Sequence, residues 1–201
     1  MAIPRIRAAV LALHWQVNVI APEGFFGPML SGPVAASGVV PRARAFHEAA
    51  AQRGLPVIFT RFTIPVGEGE LVRNTGFMRS VGAAQTDFRP DSPGAQLIPE
   101  MIEQPTVVFD NQKLSGLAGS KLPAWLGEQR IDTLFITGVA TNLTVEQTAR
   151  HGTDLGFTVH PVTDCVAATT PEAGAAAVAN LGLTTAGCLT RDQALALIDP
   201  S

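Results

Sequence analysis

Residues 133–144 read TLFITGVATNLT, and this stretch decides the fold. Thr133–Thr137 is a short run of apolar and β-branched residues, which is typical of a strand covered on both faces of a parallel sheet. Gly138 marks a turn, and the pattern from Asn142 to Leu155 predicts a helix that ends at Gly156. A strand that runs through a small-residue turn into a helix is the basic unit of an α/β fold.

The same strand–helix unit recurs along the chain. Further strand patterns cover Ala8–Leu13, Pro56–Thr60, Thr106–Phe109 and Thr158–Val162, with Leu183–Ala186 as a candidate sixth strand. Helical patterns cover Val40–Gln52, Ala118–Glu128, Pro171–Leu181 and Thr190–Ile198. This alternation predicts an α/β fold with a doubly wound, mostly parallel sheet and helices on both faces, and we expect residues 1–201 to form one domain.

One long segment, Thr63 to Gly94, breaks this pattern because it is rich in Gly and Pro and has no clear period. A long irregular segment inside a compact domain is often a functional lid or an arm to another subunit. A plain surface excursion explains it equally well, and the sequence leaves both interpretations open.

Composition narrows the classes of ligand. The chain has 201 residues, a hydrophobic fraction of 46% and a net charge of −3, so it carries no basic footprint for nucleic acid or for a membrane surface. No apolar run approaches the roughly 20 residues of a membrane helix, and the N-terminal run is too short for a signal peptide. We therefore expect a cytoplasmic protein whose partner is a small-molecule substrate.

The cysteines and histidines predict no metal centre. Cys165 and Cys188 lack metal-ligand spacing, and we interpret them as packing residues. The four histidines, at positions 14, 47, 151 and 160, are scattered along the chain. We expect neither a catalytic metal nor another cofactor.

Polar side chains follow three of the predicted strands. His14, Gln16 and Asn18 follow the first strand, residues 110–113 (DNQK) follow the third, and residues 138–144 (GVATNLT) follow the fourth. Ligands of open parallel sheets bind beyond the carboxyl ends of the strands, so this coincidence predicts a site there. The turn after residue 138 can also point backbone N–H groups, aided by the helix dipole, at a developing oxyanion.

A family resemblance emerges from these motifs. The segment ITGVATNLTV at 136–145, followed by TAR at 148–150, resembles the nucleophile segment of the isochorismatase-like (cysteine hydrolase) superfamily. Other elements of that superfamily are matched, in the right order, by residues 8–18, 38–41, 54–58, 115–122 and 162–165. The resemblance implies the predicted three-layer fold, and it implies a homo-oligomer, because relatives commonly form dimers or larger rings.

The resemblance also implies where catalytic residues belong. The family uses an Asp after strand one as base, a Lys after strand three, and a Cys nucleophile; these positions hold His14, Asn111 and Thr144 here, with Lys113 close to the second. A non-proline cis peptide is expected at Val139-Ala140. The metal-binding Asp and His residues of the nicotinamidases have no counterpart in residues 60–65.

Three functional hypotheses remain open. His14 can move a proton on a bound substrate, with Asn111 and Thr144 orienting it, and we favour this non-cysteine acid/base chemistry. Alternatively, His14 activates Thr144 as the nucleophile of an amidase or esterase. The third hypothesis is an inactive binding protein. The family residues are replaced by His, Asn and Thr, which are polar and can still do chemistry. Burying such a group unpaired and without a function would cost about 1–3 kcal/mol, so these replacements favour an altered enzyme over an inactive protein.

Further residues at the same end of the sheet are predicted to contact the substrate. The polar candidates are Gln16, Asn18 and Lys113, and the apolar candidates are Phe62, Leu117, Ala140 and Leu143. Phe25, Phe26 and Phe77 also fall in or near loops at this end and can line a pocket.

Overall fold

The computed structural model describes residues 6–199 of the chain. Its strands are β1 (Ala8–Leu13), β2 (Val57–Phe62), β3 (Val107–Asn111), β4 (Thr133–Val139) and β5 (Thr158–Ala167). Its helices are α1 (Val17–Ile20), α2 (Gly27–Ser37), α3 (Val39–Gln52), α4 (Gly76–Ala83), α5 (Leu122–Glu128), α6 (Glu146–Asp154), α7 (Pro171–Thr184) and α8 (Arg191–Ile198). A π-helical turn, Thr141–Val145, joins β4 to α6.

The five strands form one parallel sheet in the order β3-β2-β1-β4-β5. Strands β2 and β3 are added in turn on one side of β1. The chain then crosses back, and β4 and β5 are added on the other side of β1. The carboxyl ends of β1 and β4 are therefore neighbours at the point where the strand order reverses, which is where doubly wound sheets bind ligands. The predicted fold class is confirmed.

The sheet has two buried faces because side chains alternate along each strand. On β1, Val10 and Ala12 pack in one apolar cluster with residues of α2, α3 and α8, including Phe46. Leu11 and Leu13 point to the opposite cluster, which contains residues of α5, α6 and α7. A sheet covered on both faces accounts for strands that are apolar throughout rather than alternating.

One predicted strand is wrong. Leu183 lies in α7, which runs on to Thr184, and Thr185 is the residue after its end. The helix passes through Gly182, where the sequence pattern placed its end, because a single glycine weakens a helix without breaking it. Beyond α7, Leu189 forms an isolated bridge with Val162, and Ala186 N donates to the Val159 carbonyl, but no strand forms at 183–186.

Three helices, α1, α2 and α4, have no counterpart in the sequence prediction, and α1 is a single turn of four residues. Helix α2 contains Pro33 in its interior and is rich in glycine, so its composition argues against a helix. Helix α4 lies inside the irregular segment 63–94 and is capped by the Thr75 hydroxyl, which accepts a hydrogen bond from Met78 N. Ile64, Met78 and Phe88 give this segment an apolar cluster of its own. Helix α5 starts at Leu122, later than the predicted Ala118.

Candidate functional site

A small, mostly apolar cavity lies where the carboxyl ends of β1 and β4 meet. Its volume is about 30 Å³, enough for about one water molecule. Its walls are formed by His14, Val19, Phe26, Met29, Leu30, Phe77, Leu114, Val139, Ala140, Leu143 and Thr144. The cavity thus brings together His14 and Thr144, two of the three predicted catalytic residues, with Ala140 and Leu143 from the predicted substrate contacts.

His14 is the titratable group of this cavity. It follows β1 directly and has a backbone φ of 53°, in the left-handed region that non-glycine residues seldom adopt. Its Nε2 is buried and has no hydrogen-bond partner among residues 6–199. Burial lowers the pKa of His14 to about 4, because the charged imidazolium is poorly solvated there. The ring is therefore neutral at pH 7.

The turn after β4 forms one wall of the cavity. The Val139-Ala140 peptide bond is cis, at the position that the family resemblance implies. The Ala140 carbonyl accepts hydrogen bonds from Leu143 N (3.1 Å) and Val145 N (3.2 Å), so these two N–H groups point back into the turn. Thr144 Oγ1 donates to the carbonyl oxygen of Leu114 at 2.7 Å. Its hydroxyl hydrogen is directed at this backbone oxygen and not at His14.

Asn111 holds the loop beside the cavity without lining it. It ends β3 and is fully buried, and its Nδ2 lies within hydrogen-bond distance of three carbonyl oxygens, those of Lys113 (3.3 Å), Ser115 (2.6 Å) and Ala118 (3.1 Å). Its Oδ1 is buried and accepts no hydrogen bond from the part of the chain that the structure describes. The amide nitrogen thus shapes the segment that carries Leu114 and Ser115.

Gln16 and Asn18 also brace the backbone instead of facing the cavity. The Gln16 amide donates to the carbonyls of Phe62 and Ala95 and accepts from Phe62 N, with all three distances at 3.0 Å or less. Asn18 Nδ2 donates to the Asp87 carbonyl at 2.7 Å. Asn18 thus joins the chain after β1 to the segment 63–94, whereas Gln16 joins it to Phe62 and Ala95, the residues on either side of that segment. Neither residue lines the cavity.

The apolar candidates divide between the cavity and the core. Phe26 and Phe77 stack with ring centroids 5.5 Å apart and close the cavity from α2 and α4. Phe62 packs edge-on against Phe88, while its ring lies 6.3 Å from the His14 ring. Leu117 is only 2% exposed and packs in the core cluster with residues of β1 and β4, away from the cavity.

A larger cleft lies on the other side of Leu114, which lines both spaces. Its volume is about 570 Å³. The walls are Val72, Asn74, Thr75, Met78, Lys113, Leu114, Ser115, Ala118, Gln147, Arg150, His151 and Asp154. Lys113 therefore opens to the cleft, and its Nζ donates to the Glu70 carbonyl.

The cysteine thiols lie outside both spaces. Cys165 is buried, and burial raises the pKa of its thiol to about 12. Burial also raises the pKa of Cys188. Neither thiol is activated, in keeping with their interpretation as packing residues. Over residues 6–199, no three His, Cys, Asp or Glu side chains are grouped so that they could hold a metal ion.

The sequence analysis missed some of the residues that form these spaces. Met29 and Leu30 were overlooked because α2 was not predicted. Leu114 carries no polar group, so no chemical signal marked it as the wall between cavity and cleft. His151 was noted only as a scattered histidine, although its position one turn after Thr148 on a predicted helix placed it near the same end of the sheet.

The fold and the cavity at the β1–β4 junction together define an α/β protein of the isochorismatase-like hydrolase class. The family model described as the isochorismatase domain matches residues 8–193, and the chain belongs to this family. No protein with a curated description matches the chain.

Solved structures agree with this fold. A cysteine hydrolase from Pseudomonas syringae pv. phaseolicola 1448A is similar with a TM-score of 0.82 and 21% identity, over 98% of this chain and 94% of that one. An isochorismatase-like hydrolase from Alkaliphilus metalliredigens has a TM-score of 0.77 and 19% identity, over 98% of both chains. A pyrazinamidase/nicotinamidase from Streptococcus mutans UA159 has a TM-score of 0.68 and 20% identity, over 90% and 99%. Among the described residues, no helix has the length and apolar character needed to cross a membrane.

Proposed function

We propose that this protein is an isochorismatase-family enzyme that acts on a small organic molecule by acid/base chemistry centred on His14. The observation that carries the proposal is the His14 imidazole itself. Its Nε2 is buried without a partner in the wall of the cavity at the β1–β4 junction, on a backbone held at a φ of 53°. A left-handed φ at a non-glycine residue costs about 1–3 kcal/mol and is concentrated at functional sites.

The protonation state of His14 suits a proton acceptor. A neutral imidazole at pH 7 can take a proton from substrate or water, and the imidazolium so formed can return it to a leaving group. Because the pKa is near 4, the imidazolium gives up its proton readily. Positioned general acid/base catalysis of this kind contributes about 10²–10⁴-fold to rate.

The geometry of Thr144 favours this chemistry over a threonine nucleophile. A Thr144–His14 pair requires the hydroxyl hydrogen to be donated to the imidazole, whereas Thr144 Oγ1 donates to the Leu114 carbonyl. In this proposal Thr144 and Asn111 fix the loops around the cavity and so orient the substrate. The proposal also includes a cytoplasmic location for the protein, assembly as a homo-oligomer, and a reaction that uses no metal or other cofactor.

One observation favours the binding-protein alternative. The cavity of about 30 Å³ holds no organic substrate unless its walls move. Met29 is 39% exposed, and the Phe26–Phe77 stack joins two helices at the surface, so these side chains are the walls that must open. An inactive protein would keep this arrangement closed or hold a ligand unchanged.

The test is a turnover screen with small amides, esters and enol-ether acids, run on the wild-type protein, His14→Gln and Thr144→Ser. We expect turnover of at least one compound, a loss of about 100-fold or more in kcat for His14→Gln, and activity within about tenfold of wild type for Thr144→Ser. Far-ultraviolet circular dichroism checks that both variants fold.

Two results contradict the proposal in different ways. If a third variant, Thr144→Ala, loses as much activity as His14→Gln does while Thr144→Ser keeps it, Thr144 is the nucleophile. If crystals soaked with the same compounds hold one of them intact and no compound is turned over, the protein is a binding protein.

A further inference from the structure

The cleft beyond Leu114 has the volume that the inner cavity lacks. At about 570 Å³ it falls in the range of sites that bind small organic molecules. It lies between the segment that contains α4 and the outer face of α6. Its polar walls include Lys113, Arg150 and His151.

Lys113 supplies a positive charge that no carboxylate neutralises. Its Nζ donates to the backbone carbonyl of Glu70, which is a neutral acceptor, and Lys113 forms no salt bridge within residues 6–199. Arg150 differs, because Glu146 Oε1 lies 2.9 Å from its guanidinium. Asp154 brings one negative charge to the cleft wall. Lys113 is therefore the strongest attraction for an anion in this cleft.

Ser115 holds the His151 ring in place. The Ser115 hydroxyl lies 2.9 Å from His151 Nδ1 and accepts a hydrogen bond from Leu117 N at 3.3 Å. The other ring nitrogen, Nε2, makes no hydrogen bond within the described residues, and His151 lines the cleft. The ring therefore offers a nitrogen in a fixed orientation to a ligand.

Leu114 separates the cleft from the cavity beside His14. The residue lines both spaces, and its carbonyl accepts a hydrogen bond from the Thr144 hydroxyl. Three consecutive residues therefore have different roles. Lys113 places a positive charge in the cleft, Leu114 separates the cleft from the cavity, and Ser115 holds the His151 ring. A molecule with its reacting bond beside His14 and its remaining part in the cleft must pass Leu114.

We propose that the cleft binds a carboxylate of the substrate through Lys113 and His151, and that Leu114 determines which group can reach His14. This inference rests on the proposed function for the role of His14. It deepens that function by assigning the substrate to the class of small organic carboxylates whose reactive end is uncharged, because the inner cavity is apolar and a charge there would be poorly solvated.

Binding of benzoate to the wild-type protein, measured by isothermal titration calorimetry, tests the cleft. Lys113→Met should raise the dissociation constant about threefold to fivefold, the size of one screened ion pair at a partly exposed lysine. Lys121→Met is the matched control, since Lys121 is the other lysine of the chain, is exposed and does not line the cleft. Benzyl alcohol replaces benzoate as the uncharged control ligand and should show no difference between the variants.

Leu114→Ala tests the dividing wall. The substrates are carboxylate compounds of the turnover screen, in pairs with a branched or an unbranched group next to the reacting bond. We expect the ratio of kcat/KM for the branched to the unbranched compound to be about tenfold higher in the variant than in wild type. If the preference between branched and unbranched compounds is unchanged, Leu114 does not determine which group reaches His14.

The experiments separate failure of this inference from failure of the proposed function. His14→Gln should bind benzoate as the wild type does, because His14 lies on the far side of Leu114. If Lys113→Met and Lys121→Met bind benzoate equally, or if benzoate does not bind, the cleft assignment is overturned even when His14-dependent turnover exists. If benzoate binding depends on Lys113 and no compound is turned over, the cleft is still a carboxylate-binding site but the proposed catalysis by His14 is wrong.

Discussion

The spaces on the two sides of Leu114 differ in size and in polarity. The inner cavity has a volume of about 30 Å³, apolar walls and one titratable group with an unpartnered nitrogen, His14. The outer cleft has a volume of about 570 Å³ and walls with several charged side chains. Burial keeps His14 neutral, whereas the cleft keeps Lys113 accessible to solvent and ligand. The comparison suggests that chemistry and recognition are assigned to different sides of one loop.

The largest expected effect concerns acid stability on the inner side. The pKa of His14 is lowered to about 4 in the folded state from about 6.5 when unfolded, so the unfolded chain binds more protons between these values. The contribution of the neutral ring to stability is present above pH 6.5 and is lost as pH falls towards 4. This loss is on the order of 3 kcal/mol, at about 1.4 kcal/mol per pKa unit.

Urea unfolding between pH 7 and pH 4 measures this effect. The decrease in the free energy of unfolding should be smaller in His14→Gln by on the order of 3 kcal/mol. His47, which is buried elsewhere in the core and has its pKa lowered to about 3, is the matched comparison, and His47→Gln should also reduce the decrease. An identical pH dependence in His14→Gln and wild type would show that His14 is not buried as described.

Leu117 provides the next test, because the sequence placed it on the ligand side and the structure places it in the core. Leu117→Ala should lower the free energy of unfolding by about 2–4 kcal/mol, as expected for a leucine that is 2% exposed. The dissociation constant of benzoate should stay the same in the folded variant. A change in benzoate affinity without a loss of stability would show that Leu117 contacts the ligand and not the core.

The smallest expected effect concerns the second cation of the cleft. Arg150→Met should raise the benzoate dissociation constant less than about twofold, because Glu146 already pairs with the guanidinium. Calorimetry under the conditions used for Lys113→Met gives a direct comparison. If Arg150→Met weakens binding more than Lys113→Met does, the carboxylate is held at the α6 side of the cleft instead.

The predicted parts of the fold were those with a strong local signal. The strands from β1 to β5 are short apolar runs, and the cap and the first-turn proline of α7 marked its start at Thr170 and Pro171. The candidate sixth strand was wrong because a short apolar run such as Leu183–Ala186 fits the end of a helix as well as it fits a strand. Helix α2 was missed because tertiary packing stabilises a segment that its glycine and proline content disfavours.

The candidate site was predicted in part for the same reason. His14 and Thr144 follow strands that the topology makes neighbours, so their meeting at one cavity followed from the order of the motifs. Asn111 and Gln16 were chosen for their polarity, but their amides bond to backbone carbonyls, which no local pattern reveals. Polar residue type indicates the capacity to bond, and only the surrounding chain determines the partner.

The sequence by itself determined the class of fold, the family, and the end of the sheet at which the polar residues gather, because strand periodicity and turn residues are local properties of the chain. Only the tertiary structure decided that Leu114 divides a small cavity from a large cleft, that Thr144 bonds to a carbonyl, and that Ser115 orients His151. These features depend on contacts between residues that are about 30 or more positions apart in the chain, at distances of 2.7 Å and 2.9 Å. Such contacts are set by packing, which local sequence patterns do not encode.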